Sequence, residues 1–173
     1  MSDSESRPPP SGDRGTDERR DGQDRRSEAV WQPVTLDDAA ARVEAADSLI
    51  AAAASARLHA HARYSHFLVG AALETDDGRV ITGCNIENAT YGLTLCAERV
   101  ALVKALSEGY ELFTRIAVVA DTPSVTPPCG ACRQLLWEYC GDIDVIIANL
   151  DGVQQRHRLS ALLPLPFDSR LLK

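Results

Sequence analysis

The sequence has no excess of positive charge and no long apolar run. Its 173 residues carry 18 Lys and Arg against 25 Asp and Glu, a net charge of -7. Nucleic-acid-binding surfaces draw most of their affinity from basic patches, so a polynucleotide partner is disfavoured. Charged residues interrupt the apolar segments before they reach the roughly 20 residues that span a bilayer, so we expect no membrane association. Because a basic and then apolar leader is also lacking, we expect a cytoplasmic protein.

Apolar residues are scarce in the first 28 positions, which are rich in Ser, Asp, Arg and Pro. Such a segment cannot repay the entropy of being ordered, so we predict a disordered polar tail over residues 1–28. Residues 29–173 suffice for one well-buried domain and are too few for two ordinary ones. The overall content of 45% hydrophobic and 25% charged residues is typical of a globular protein.

The sequence also lacks the cysteine usage of a disulfide framework, because its five cysteines are odd in number and no export signal accompanies them. The spacing of three of these cysteines favours metal ligation. Cys129 and Cys132 are three residues apart, so one turn of backbone can direct both sulfurs to one ion, and Cys96 can complete the set from another segment. We expect Cys84 and Cys140 to be small buried hydrophobes.

A three-cysteine set leaves a fourth position for water, which is typical of catalytic rather than structural zinc sites. Glu98 follows Cys96 by two residues, about 200° around a helix, so we predict that it points away from the ligand face and holds a proton. The alternative is a binding module with a closed structural zinc site, in which a histidine or Cys84 supplies the fourth ligand.

Apolar periodicity predicts an α/β fold with three layers, helices covering both faces of a central mixed sheet of about five strands. We expect helices over residues 35–61, 97–108 and 130–139 and strands over 67–74, 79–85, 115–120, 143–148 and 154–159. The turn sequence Asp76-Asp77-Gly78 predicts a hairpin between the first two strands. Two of the helices begin at the candidate ligands, so their positive dipole ends would stabilise thiolates.

The segment Asn85-Ile86-Glu87-Asn88 is polar where a buried strand would stay apolar. It is therefore expected to face a cavity or solvent. From spacing alone, an Asx turn at Asn85 and a surface acid at Glu87 are equally open interpretations.

Cys96-Ala97-Glu98 followed by Pro128-Cys129-Gly130-Ala131-Cys132-Arg133-Gln134 matches the signature of the zinc nucleobase deaminases. Across about residues 64–167 the chain closely resembles the small homotetrameric cytidine deaminases. The resemblance also includes the runs Tyr64-Ser65-His66-Phe67, Val69-Gly70-Ala71-Ala72-Leu73, Gly83-Cys84-Asn85-Ile86-Glu87-Asn88-Ala89 and Ser107-Glu108-Gly109.

The resemblance implies that Cys96, Cys129 and Cys132 bind one Zn²⁺ per subunit and that Glu98 shuttles protons. The implied reaction is hydrolytic deamination of cytidine and deoxycytidine to uridine, deoxyuridine and ammonia, in pyrimidine salvage. A related deaminase acting on a modified cytosine nucleoside, such as a nucleoside antibiotic, is the alternative within the enzyme class.

The resemblance further implies contacts with the nucleoside by six residues: Asn85 and Glu87 at the ribose 3'-hydroxyl, Phe67 at the pyrimidine, Ala97 through its backbone, and Tyr91 and Phe167 in active sites shared within a homotetramer. Three thiolates leave a zinc site negatively charged, so Arg99 and Arg133 are candidates to donate hydrogen bonds to the sulfurs. The competing interpretation is that both are ordinary surface arginines.

Overall fold

The structure is a computed structural model that describes residues 48–172. The predicted tail over residues 1–28 and the predicted helix start near Thr35 lie outside the described residues. Within residues 48–172 no helix is long and apolar enough to cross a bilayer.

Four α-helices and five strands lie within residues 48–172. A first helix, α1, is described over residues 48–57. The later elements are β1 (Val69–Thr75), β2 (Val80–Cys84), α2 (Ala97–Ser107), β3 (Phe113–Ala120), α3 (Gly130–Cys140), β4 (Asp144–Asn149), β5 (Gln154–Arg158) and α4 (Leu159–Leu162). A 3₁₀ turn covers Tyr91–Leu93.

The five strands form one sheet in the order β2-β1-β3-β4-β5. β3 and β4 run parallel, whereas the other three pairings are antiparallel. The predicted hairpin joins β1 and β2, and Gly78 takes a φ of +82° that favours glycine. The prediction of a mixed sheet of about five strands is confirmed.

Alternate residues of the strands face opposite helical layers. On one face, Ala72, Ala117 and Val119 pack with Leu49 and Ala53 of α1. The opposite face is covered by α2 and α3 and contains the larger cluster, which includes Ala71, Leu73, Ile116, Val118, Ala101, Leu102 and Leu136. Both faces of the sheet are therefore buried, and the predicted three-layer α/β/α arrangement is confirmed.

The first helix ends earlier than predicted. Its last turn tightens, because the N–H groups of Leu58 and His59 donate to carbonyls three residues back. His61 then pairs with Ile86 in the manner of a short strand. Periodicity extended the helix to His61, but the tertiary pairing with Ile86 stops it at residue 57.

The start of α2 lies directly on β2. A Cβ atom at Gly83 would stand 2.5 Å from the carbonyl oxygen of Ala97 and 2.4 Å from the nitrogen of Ala101. The two backbones are therefore in contact, which only glycine permits at this position. Because α2 begins at Ala97, this contact also fixes the height of Cys96 and Glu98 above the sheet.

Substituting Gly83→Ala should separate α2 from the sheet and lower the free energy of unfolding by about 2–3 kcal/mol, as overpacking does. Thermal and denaturant unfolding measure the change. Gly92→Ala is the matched control, because no atom lies within 4 Å of its added Cβ. Equal stability of the two variants would contradict the proposed backbone contact.

Candidate metal centre and active site

The three candidate ligands lie at two helix N-termini. Cys96 is the N-cap of α2 and Cys129 is the N-cap of α3, both with extended backbone. Cys132 lies in the first turn of α3, and its N–H donates to the sulfur of Cys129 at 3.4 Å. The first N–H groups of a helix have no partner within it, so thiolates at these positions are stabilised by donors and by the helix dipole. The predicted convergence of two helix N-termini is confirmed.

The sulfur atoms have the spacing of a zinc site. Cys129 Sγ lies 3.9 Å from Cys96 Sγ and 3.4 Å from Cys132 Sγ, and all three lie within 4.8 Å of one another. A tetrahedral site with Zn–S bonds of about 2.3 Å requires sulfurs about 3.8 Å apart. The three residues therefore fit Zn²⁺ with small adjustments.

Among the described residues no fourth His, Cys, Asp or Glu joins this group. The Cys84 thiol donates instead to the carbonyl of His59 at 3.2 Å, and Cys84 is half-buried. A closed four-residue cage is therefore not formed within residues 48–172, which disfavours the structural-zinc alternative. The open fourth position is typical of catalytic zinc.

Hydrogen bonds within the cluster shift the pKa values of two of the thiols in opposite directions. A hydrogen bond from Cys132, together with the neighbouring cation of Arg99, lowers the pKa of the Cys96 thiol to about 5 against the opposing effect of burial. The same hydrogen bond and the burial of Cys132 raise the pKa of its thiol. One ligand is thus prepared as a thiolate, the form that a metal requires.

The two candidate arginines have different surroundings. Arg99 donates from Nη2 to Cys96 Sγ at 3.4 Å and to the carbonyl of Thr94 at 3.2 Å, as predicted for a residue that compensates thiolate charge. Arg133 donates from Nε to the carbonyl of Pro128 at 2.7 Å and from Nη1 to that of Leu162 at 2.8 Å. The predicted bonds from Arg133 to sulfur are therefore replaced by bonds that brace the chain before Cys129.

Glu98 is 4% exposed and lies beside the cysteine cluster. Burial raises the pKa of its carboxyl, the negative Cys96 raises it further, and a hydrogen bond from Cys132 opposes both. The prediction that Glu98 points away from the ligand face was wrong: Cys96 has extended backbone, so the helical angle of 200° does not apply, and the carboxyl of Glu98 accepts a hydrogen bond from Cys132. Glu98 is nevertheless absent from the ligand group, and a buried carboxyl with a raised pKa suits proton transfer near neutral pH.

Three chain segments lie side by side next to the cluster. The backbone of Ile86 exchanges two hydrogen bonds of 2.9 Å with Leu95, immediately before Cys96. On its other side, His61 N–H donates to Asn85 O, and Glu87 N–H donates to His61 O, both at 2.9 Å. The polar segment predicted after β2 is thus held between the metal site and the loop that leads to Phe67.

Asn85 has a structural role that its spacing left open. It is 8% exposed, and its Oδ1 accepts the N–H of Val69 while its Nδ2 donates to the carbonyl of Phe67, both at 2.8 Å. With these bonds in place, the first strand begins at Val69 rather than at the predicted Phe67. Phe67 is left 37% exposed in the preceding loop, whereas Ala97 is fully buried at the start of α2.

Tyr91 and Phe167 are both exposed in the single chain. Tyr91 is 80% exposed on the 3₁₀ turn, and Phe167 is 59% exposed near the carboxyl end. Gln134 fixes the backbone of Phe167, donating to its carbonyl at 2.6 Å and accepting its N–H at 3.1 Å. Sequence reasoning missed this clamp, because only the fold brings α3 next to a residue 33 positions later.

Comparison with known proteins gives the family. A sequence model described as the cytidine and deoxycytidylate deaminase zinc-binding region matches residues 43–148. A cytidine deaminase from Halalkalibacterium halodurans is 56% identical over 117 residues, covering 67% of this chain and 89% of the relative. The chain belongs to the cytidine and deoxycytidylate deaminase family.

The chain is also similar to a solved structure and to a relative of lower sequence identity. The crystal structure of cytidine deaminase from Burkholderia pseudomallei has a TM-score of 0.68 at 48% identity, covering 70% of this chain and 98% of that one. A protein named blasticidin-S deaminase, from Bacillus cereus, is 34% identical over 107 residues, covering 57% of this chain and 76% of the relative. Zn²⁺ is the cofactor of the family, and the three-sulfur group is suited to hold it.

Substituting Arg99→Ala should weaken zinc binding by about 10-fold or more, because it removes a hydrogen bond and a positive charge beside the thiolates. Competition with a graded chelator measures the affinity. Arg156→Ala is the matched control, since Arg156 pairs with Asp144 on the distant strands. Unchanged zinc affinity in Arg99→Ala would show that Arg99 does not compensate the thiolates.

Proposed function

We propose that this protein is an enzyme that deaminates cytidine and deoxycytidine by hydrolysis, giving uridine or deoxyuridine and ammonia. The observation that carries the proposal is a group of three sulfurs with an open fourth position and a buried carboxyl, Glu98, at its side. Relatives named cytidine deaminase at up to 56% identity support the same reaction. The reaction serves pyrimidine salvage in the cytoplasm.

In this proposal Cys96, Cys129 and Cys132 hold one Zn²⁺ per subunit. Zn²⁺ held there would supply Lewis-acid chemistry, which would lower the pKa of water to about 7 and so make water a nucleophile for C4 of cytosine near neutral pH. Glu98 accepts the proton of the attacking water and delivers it to N3 of the ring. Glu98 then takes the remaining hydroxyl proton from the oxygen at C4 and carries it to the amino group, so that the C4–N bond breaks, C4=O forms and ammonia leaves.

The nucleoside is held by residues around the cluster. Phe67 packs against the pyrimidine, the backbone of Ala97 contacts the base, and Asn85 and Glu87 approach the ribose 3'-hydroxyl. Asn85 has one amide hydrogen left for this contact, because Nδ2 carries two and one is used on Phe67.

The active site is shared between subunits of a homotetramer. Tyr91 and Phe167 reach a neighbouring site, and their high exposure in the single chain supports this placement. Arg133 braces the ligand loop rather than the sulfurs, whereas Arg99 stabilises the thiolate of Cys96.

A deaminase of a modified cytosine nucleoside is the second candidate. The similarity to the protein named blasticidin-S deaminase supports it, but that protein is 34% identical, compared with 56% for the cytidine deaminase. The same zinc and carboxylate chemistry would serve both substrates, so the surroundings of the nucleoside decide between them.

A substrate panel on metal-quantified protein separates these functions. We expect turnover of cytidine and deoxycytidine, with far lower kcat/KM for cytosine, dCMP, adenosine and a cytosine nucleoside antibiotic. Loss of the cytidine absorbance and release of ammonia measure the reaction. Preference for the antibiotic would support the second candidate, and inactivity on the whole panel would contradict the proposal.

Substituting Glu98→Gln should lower kcat by at least about 10³-fold while zinc is retained, because one carboxyl serves more than one proton transfer. Steady-state kinetics and metal analysis on the same preparation measure both quantities. Glu108→Gln, which alters an exposed acid at the end of the same helix, is the control. An active Glu98→Gln enzyme with zinc bound would remove Glu98 from the mechanism.

A further inference from the structure

The loop before β1 has an unusual backbone that needs support. His66 has a φ of +57°, the single positive value among the non-glycine residues of the described chain. Residues other than glycine adopt this conformation at an energetic cost, so neighbouring contacts must hold it. Phe67, which contacts the pyrimidine in the proposed function, directly follows His66 in this loop.

The carboxylate of Glu87 holds one end of this loop. Its Oε2 accepts the N–H groups of Tyr64 at 2.8 Å and Ser65 at 3.2 Å, and its Oε1 accepts the hydroxyl of Ser65. The same hydroxyl oxygen accepts the N–H of Phe67 at 3.0 Å, closing a turn around His66. Ser65 therefore joins Glu87 to the backbone of Phe67.

Asn85 holds the other end of the loop. Its side chain bonds the carbonyl of Phe67 and the N–H of Val69. Phe67 is thus fixed at its N–H through Ser65 and at its carbonyl through Asn85. Of these two supports, only Ser65 also bonds a carboxylate, that of Glu87, which can accept a further hydrogen bond from a ligand.

The Glu87 carboxylate is negatively charged and has few hydrogen-bond acceptor sites left for a ligand. The hydroxyl of Ser65 and the N–H of Tyr64 lower the pKa of the Glu87 carboxyl, so it is ionised and acts only as an acceptor. A carboxylate has about four acceptor sites, of which Oε2 uses two and Oε1 uses one. The remaining site, on Oε1, requires a ligand group that donates a hydrogen.

We propose that Ser65 is a positioning residue that orients Glu87 and Phe67 together, leaving one acceptor site of Glu87 for a donating ribose hydroxyl. This inference rests on the proposed nucleoside deaminase function. Without the Ser65 hydroxyl, Oε1 of Glu87 loses the donor that orients it and Phe67 N–H loses its acceptor. A 3'-phosphate is excluded because it offers no donor and places an anion against an anion.

The test compares cytidine with 3'-deoxycytidine in wild type, Ser65→Ala, Ser65→Thr and Ser107→Ala. In Ser65→Ala we expect KM for cytidine to rise about 10-fold with kcat changed less than about 3-fold, as for one lost hydrogen bond to a charged group. KM for 3'-deoxycytidine should rise less, because this nucleoside feels only the loss of support at Phe67 and has no hydroxyl for Glu87 to accept, so the preference for the 3'-hydroxyl falls toward 1. Ser65→Thr retains the hydroxyl and should restore the preference.

Ser107→Ala is the matched control, because its hydroxyl donates to the carbonyl of Lys104 at the far end of α2. An unchanged KM and an unchanged 3'-hydroxyl preference in Ser65→Ala would overturn the positioning role. If Ser65→Ala does not fold, Ser65→Cys compared with Ser65→Thr decides in the same way, because a thiol is a weak donor.

Assays of the wild-type protein distinguish failure of the proposed deaminase function from failure of the proposed role of Ser65. Failure of the wild-type protein to deaminate cytidine would overturn the proposed function itself. Turnover of cytidine without any preference over 3'-deoxycytidine would leave that function standing and overturn the Ser65 proposal, because Glu87 would then contact no 3'-hydroxyl.

Discussion

The close approach of three sulfur atoms is the constraint on which the site depends. Two unit charges about 4 Å apart repel by about 4 kcal/mol at an effective dielectric constant of 20, so three thiolates cannot share this space without compensation. The chain supplies part of it through the N-termini of α2 and α3 and through Arg99. A dication supplies the remainder, which is why the same geometry that is costly for the protein alone suits Zn²⁺.

The sheet determines where those sulfurs meet. Contact between Gly83 and the start of α2 sets the position of Cys96, and the parallel pairing of β3 and β4 is connected through α3, which carries Cys129 and Cys132. Ligands from two helices therefore converge because both helices cover the same face of one sheet. The burial of Glu98, the second residue of α2, follows from the same packing.

Local signals in the sequence predicted most of the fold. The hairpin at Gly78, the helix starts at the cysteines and the buried strands β3 and β4 depend on short-range turn chemistry and on apolar runs. The end of α1 was predicted wrongly, because His61 pairs with Ile86 only in the folded chain. The two interpretations of Arg133 both missed its bond to the carbonyl of Leu162, which likewise forms only in the folded chain.

In the candidate site, too, the features set by local sequence could be predicted, and those that depend on long-range contacts could not. The ligand spacing of the cysteines could be interpreted without a structure, whereas the clamp of Gln134 on Phe167 joins residues that only the fold brings together. Ser65 lies between these cases. A serine two residues before the N–H that it accepts is a local turn signal, but its bond to Glu87 spans 22 positions.

The pairing of Ile86 with Leu95 connects the two halves of the site. Glu87 follows the first residue of that pair and Cys96 follows the second, so one backbone pairing joins the proposed ribose contact to the candidate metal ligand. His61 extends this pairing to the loop that carries Ser65 and Phe67. In the proposed function, Phe67 and Glu87 would hold the nucleoside at a fixed distance from the sulfur cluster, which is the condition for placing C4 of the base beside the attacking water.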